Sequence, residues 1–119
     1  MYVRAEWIKA GACDMVRGGV NDVGGITGLL KVADLAEAFN MSMEVHGTGV
    51  GNLHVLGAMA TPGLYYERGL LHPFVDYDAP PPWLNEPVDP MDDEGFVHIS
   101  PEPGLGLNIN WDYINRNLV

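Results

Sequence analysis

The chain has 119 residues, 47% hydrophobic and 18% charged, a composition that folds, in a length that makes at most one small domain. Six Lys and Arg against 16 Asp and Glu give a formal charge of −10, which repels nucleic acid and anionic membrane surfaces. A lone cysteine, Cys13, excludes an internal disulfide, and no apolar run reaches the roughly 18–20 residues of a membrane span.

The first residues, Met1-Tyr2-Val3-Arg4-Ala5-Glu6, lack the apolar core and cleavage site of a signal peptide, so the expected location is cytoplasmic. Val3, Trp7, Ile8 and Ala12, with Arg4, Glu6 and Lys9 between them, predict a short amphipathic helix ending near Gly11. Met15 and Val16 begin a short strand. Asn21-Asp22-Val23-Gly24-Gly25 reads as a loop with two residues suited to positive φ. Ile26, Leu29, Leu30, Ala33, Ala36 and Phe39 recur at helical spacing and predict a helix over 26–39, with Asn40 as its cap. Ser42 to His46 reads as a second strand and Gly47 to Gly51 as a loop. Asn52 to Ala60 reads as a helix stopped by Thr61-Pro62-Gly63. Leu64-Tyr65-Tyr66-Glu67 reads as a third strand, rich in aromatics.

The order helix, strand, helix, strand, helix, strand predicts an α/β fold with parallel strands and helical crossovers. Three strands cannot close a barrel of about eight. They form a small open sheet or one piece of something larger, and the pattern alone leaves both open.

The charge divides the chain. Residues 1–72 carry seven acids and five bases, whereas residues 73–119 carry nine acids and one base, Arg116. Eight of the nine prolines also follow His72. Residues 1–72 therefore read as packed secondary structure and residues 73–119 as an extended, acidic, proline-rich tail. Asp89 to Gly95 lacks the alternating ligands and terminal glutamate of an EF-hand loop. Gly47-Thr48-Gly49-Val50-Gly51 lacks the lysine and spacing of a phosphate-binding P-loop. His54, His72 and His98 show no metal-like spacing with His46, and no metal ligand is assigned within the chain. Cys13 reads as a small packing residue, with no His/Asn arrangement to activate it. Tyr65, Tyr66, Trp83 and Trp111 read as packing anchors.

Chemistry in parallel α/β folds collects at the C-terminal ends of strands. His46 ends the second strand and Glu67 the third, a pair suited to moving a proton and meeting developing negative charge.

The run Asp22-Val23-Gly24-Gly25-Ile26-Thr27-Gly28-Leu29-Leu30-Lys31, then Met43-Glu44-Val45-His46-Gly47, then Tyr66-Glu67-Arg68 and Pro103-Gly104-Leu105-Gly106 resembles the enolase superfamily. Within it, the chain resembles the mandelate racemase-like group, which includes many acid-sugar dehydratases. The resemblance implies that residues 1–72 are the last three βα units of a modified TIM-type barrel. It implies that residues 73–119 are a tail returning to a capping domain. It implies a parent enzyme that is homo-oligomeric, depends on Mg2+ and acts on a small acid-sugar substrate. Such an enzyme abstracts the proton alpha to a carboxylate and dehydrates the sugar acid to a 2-keto-3-deoxy acid. Alternatives are a racemase or epimerase of the same group, or a non-catalytic fragment or acidic interaction domain.

By the same resemblance His46 is the acid–base residue of the seventh strand, and Glu67 hydrogen-bonds the substrate carboxylate and can donate to the enolate. The magnesium ligands and a lysine base would precede Met1, in the missing N-terminal part of the barrel, so the chain alone is expected to be inactive. The family pairs the histidine with an aspartate at the position of Gly19, and that residue is absent here. Glu44, two residues before His46 and on its strand face, is a possible replacement, as are Asn21 and Asp22 from the loop.

Overall fold

The computed structural model describes residues 2–118. Helix α1 (Tyr2–Lys9) leads to strand β1 (Met15–Gly18), a one-turn helix α2 (Val20–Val23) and the long helix α3 (Ile26–Ala38). Strand β2 (Ser42–Val45), helix α4 (Val50–Ala58) and, after a long irregular stretch, helix α5 (Trp111–Arg116) complete the order.

β1 and β2 pair in parallel, with Val16 opposite Met43 and Arg17 opposite Glu44. Strand alternation sorts their side chains. Val16, Met43 and Val45 are buried, while Met15, Arg17, Ser42 and Glu44 share the opposite face. The buried face meets α3, whose Leu29, Val32, Ala33 and Ala36 fill the core, joined by Val55 and Met59 from the α4 region and Ile8 from α1. In α1 the expected apolar face is only partly used: Ile8 is buried, but Val3 and Trp7 remain exposed.

Two local features of the helices depart from the sequence expectation. The stretch read as a loop contains α2, because the Asp22 carboxylate accepts the Gly19 N–H at 3.0 Å and closes a helical turn. Gly24 and Gly25 then take φ of 84° and 93°, as a turn between two helices requires. Helix α4 starts two residues earlier than expected, entered through Gly49 at φ 110°.

The third strand, expected over Leu64–Glu67, is not formed as a ladder among the described residues. Side chains take the donors that a ladder would use. Leu64 N–H donates to Glu44 Oε1 at 3.1 Å, and Gly47 N–H donates to Glu67 Oε2 at 2.6 Å. Gly63 lies directly against the Glu44 carboxylate, where a Cβ would collide with it. The segment therefore runs beside β2, bridged by two carboxylates rather than by backbone pairs.

Beyond residue 60, Leu84 is the one buried hydrophobic residue among the described residues. The radius of gyration is 16.2 Å, against about 13.5 Å for a compact chain of this length. The tail folds back on itself through Leu84 opposite Ile109, with Asn85 N–H on the Asn108 carbonyl and Asn110 N–H on the Trp83 carbonyl, both at 2.9 Å. A smaller turn pairs Met91 with Val97 around the Asp92 carboxylate, which accepts from Glu94 and Phe96 N–H. Ile99 reaches α4 at Gly57, whose missing Cβ leaves the space that the isoleucine side chain fills.

Candidate functional site

His46 follows β2 directly, and its N–H continues the ladder to the Gly18 carbonyl at 2.8 Å. The residue's backbone is therefore set by the sheet, while its half-exposed ring projects beyond it. The loop behind it is clamped by Asn52, a nearly fully buried residue of α4. Asn52 Nδ2 lies 2.9, 3.2 and 3.0 Å from the carbonyls of His46, Gly47 and Thr48, and its Oδ1 accepts the Val20 N–H at 2.9 Å. One amide thus ties α2, α4 and the loop after β2 together, with its own polar atoms satisfied.

His46 and Glu67 meet. His46 Nδ1 is 2.7 Å from Glu67 Oε2, which also accepts the Gly47 N–H. Glu67 Oε1 accepts from the Arg17 guanidinium. Both oxygens of Glu67 are therefore occupied as acceptors, in contrast to the donor role that the resemblance implied. A carboxylate at Nδ1 favours a proton on that nitrogen and leaves Nε2 as the ring's free position.

The three other partners considered for His46 lie elsewhere. Glu44 is engaged with Leu64 N–H, Asp22 caps Gly19, and Asn21 makes no side-chain bond to the ring. The position expected to hold an aspartate cannot take a side chain in this backbone. A Cβ on Gly19 would stand 2.6 Å from the His46 carbonyl oxygen and 3.1 Å from Asp22 Oδ2.

An open cleft of about 350 Å³ adjoins the pair, lined by Met15, Arg17, Glu44, Leu64, Tyr65 and Glu67. Leu64 and Tyr65 are strongly exposed, at 82% and 76%. Sequence reasoning missed Arg17 and Asn52. Arg17 does carry a signal in retrospect: alternation along β1 puts it on the face from which Glu44 projects.

Tyr66 is a polar node rather than a simple packing anchor. Its hydroxyl accepts from Gly49 N–H and donates to Asp89 Oδ2, both at 2.6 Å. Burial, then the bond to buried Asp89, pushes the Tyr66 hydroxyl above the usual tyrosine range. Arg68 stands 3.7 Å from the other oxygen of Asp89 and bonds Asp78 Oδ1 at 2.6 Å. That Asp78 bond, ahead of any other influence, raises the Arg68 guanidinium pKa further. Tail residues are thereby tied to the segment carrying Glu67.

Among the described residues no three His, Cys, Asp or Glu side chains gather as a metal site. The residues present do not fit a magnesium ion, and none is assigned to them. Among the described residues no helix is long and apolar enough to cross a membrane.

The chain resembles known proteins over nearly its full length. The family model described as enolase C-terminal domain-like matches residues 2–113. D-gluconate dehydratase of Thermoproteus tenax is 32% identical over 110 residues, covering 88% of this chain and 21% of the relative. L-rhamnonate dehydratase of Saccharopolyspora erythraea is 32% identical over 107 residues, covering 87% and 26%. The crystal structure of D-glucarate dehydratase from Agrobacterium tumefaciens, complexed with magnesium, superposes with a TM-score of 0.90 at 56% identity, covering 99% of this chain and 30% of that one. The chain thus spans between a fifth and a third of the length of these relatives.

Proposed function

The chain belongs to the enolase C-terminal domain-like family, and on that premise we propose that it supplies the C-terminal part of a magnesium-dependent sugar-acid dehydratase. Residues 1–72 correspond in this reading to the last barrel units and residues 73–119 to the returning tail. The observation that carries it is the His46–Glu67 pair, with His46 directly after β2 and Glu67 lining the cleft. Support comes from relatives that are dehydratases named for sugar acids.

In the whole enzyme a proton leaves the carbon next to the substrate carboxylate, and a hydroxyl departs from the neighbouring carbon as water. The enol product becomes a 2-keto-3-deoxy acid. His46 moves a proton through Nε2, as acid toward the departing hydroxyl or as base toward the carbon. Glu67 holds the ring through Nδ1. Magnesium, when bound, supplies positive charge to the substrate carboxylate, and its ligands lie outside residues 1–119 in this reading. The outward face with Met15, Leu64 and Tyr65 is the surface that other barrel strands would cover.

The test is His46→Asn in the full-length enzyme, followed with a panel of sugar acids. Asparagine keeps a hydrogen-bonding side chain but moves no proton. Turnover is expected to fall at least about a hundredfold, with substrate affinity changed less. Near-wild-type turnover removes His46 from the mechanism. Inverted hydroxy acid in place of a 2-keto-3-deoxy acid makes the enzyme an epimerase instead.

A further inference from the structure

A side chain at Gly19 is blocked by the His46 carbonyl, so no carboxylate can reach the ring from that position. A carboxylate reaches it from the segment after α4 instead. That segment has no sheet ladder to hold it, and a glutamate on an irregular strand has rotamer freedom to spare. Two donors, one of them backbone, limit that freedom. Gly47 N–H pins Oε2, and Arg17, on β1, pins Oε1. With both oxygens pinned, the plane of the carboxylate is set and Oε2 faces Nδ1 at 2.7 Å. Arg17 and Glu67 are 49% and 22% exposed, so their ion pair adds little stability and its effect is geometric. Glu44, opposite Arg17 in the sheet, is engaged with Leu64 N–H instead.

We infer that Arg17 is a positioning residue that aligns Glu67, which in turn fixes the proton of His46 on Nδ1 and frees Nε2 for proton exchange. This device stands in for the family's aspartate at position 19. It rests on the acid–base reading of His46 above.

The tautomer can be read without substrate, by nitrogen-15 NMR of the imidazole in the intact protein at about pH 9, where a histidine is ordinarily neutral. The wild-type ring is expected to be mainly the Nδ1–H form. Arg17→Met is expected to lower the ratio of Nδ1–H to Nε2–H by about threefold or more, and Arg17→Lys to restore most of it. In a Glu67→Ala background, Arg17→Met adds no further change, because its route to the ring is gone. Should Arg17→Met fail to fold, the expected pattern is a near-wild-type ratio in Arg17→Lys and a lowered one in Arg17→Gln. A wild-type ring in the Nε2–H form overturns the inference. So does an unchanged ratio in folded Arg17→Met, or an equal effect of Arg17→Met with and without Glu67. A failed tautomer result leaves the dehydratase reading to its own turnover assay.

Discussion

Asn52 Nδ2 lies 2.9 Å from the His46 carbonyl oxygen, so a residue in the first turn of α4 fixes the backbone that presents the ring. The same amide bridges back to Val20 N–H. The catalytic reading of His46 therefore depends on a side chain that never reaches the cleft.

Asn52→Asp is expected to be far more damaging than its size suggests. It removes the donors facing three carbonyls and places a negative charge among them. Asn52→Leu strands the same carbonyls and the Val20 N–H. Each stranded group costs about 1–3 kcal/mol. Urea denaturation of both variants checks this. Stability within about 0.5 kcal/mol of wild type for Asn52→Asp contradicts the clamp.

Gly19→Ala tests the blocked position. The new Cβ meets the His46 carbonyl at 2.6 Å, backbone that cannot swing aside. Overpacking of this kind costs about 1–3 kcal/mol. Gly19→Asp is expected to be no better, and an aspartate placed there is not expected to pair with His46. Thermal melts together with turnover of the full-length variants decide the matter.

Glu44→Gln separates two expectations. Its carboxylate bonds Leu64 N–H rather than the imidazole. Glutamine keeps an acceptor there, so turnover per folded molecule is expected to stay within about twofold of wild type, as for a residue with no contact to the reacting group. A loss comparable to that of His46→Asn places Glu44 in the proton path.

Tyr66 gives an alkaline signature. Burial and Asp89 raise its pKa in the folded state, so the native fold holds the proton more tightly than the unfolded chain. The resulting stability is complete below about pH 10, the ordinary tyrosine value, and is lost as pH rises beyond it. Tyr66→Phe flattens that alkaline decline. It also leaves buried Asp89 without its hydroxyl donor, a cost of about 1–3 kcal/mol at neutral pH. Stability measured against pH for both proteins is the check.

The turn around Asp92 behaves in the opposite sense. The His98 bond, then the Phe96 N–H, hold the Asp92 carboxyl below its usual range. Its contribution is present above about pH 4 and disappears as pH falls below that value. His98→Ala is expected to move the Asp92 titration, followed by NMR, back toward the ordinary aspartate value.

Much of the framework was legible in the sequence. Leu29, Ala33 and Ala36 announced α3 by spacing, and Gly24-Gly25 marked its entry. Parallel alternation was enough to expect His46 and Glu67, 21 residues apart, at neighbouring strand ends, and the two side chains do meet. What escaped has no periodic signature. Asn52 acts through hydrogen bonds to a loop, and nothing in its spacing distinguishes it from a surface residue. Leu64–Glu67 has strand composition, yet its pairing depends on which groups claim its donors, and the Glu44 carboxylate claims the Leu64 N–H. Gly19 looked like a lost aspartate. Its reason lies in a backbone oxygen that comes near only after the chain has folded.

The empty flank of α4 at Gly57 has a consequence in time. Ile99 fits there only once that helix exists, and the two residues lie far apart in sequence. The contacts of the core, by contrast, all join residues between Ile8 and Met59. Nearby partners find one another sooner than distant ones, and a ribosome releases α4 well before Ile99. The tail is therefore expected to dock late, onto an α4 already formed, and a methyl group added at residue 57 is expected to hinder that docking.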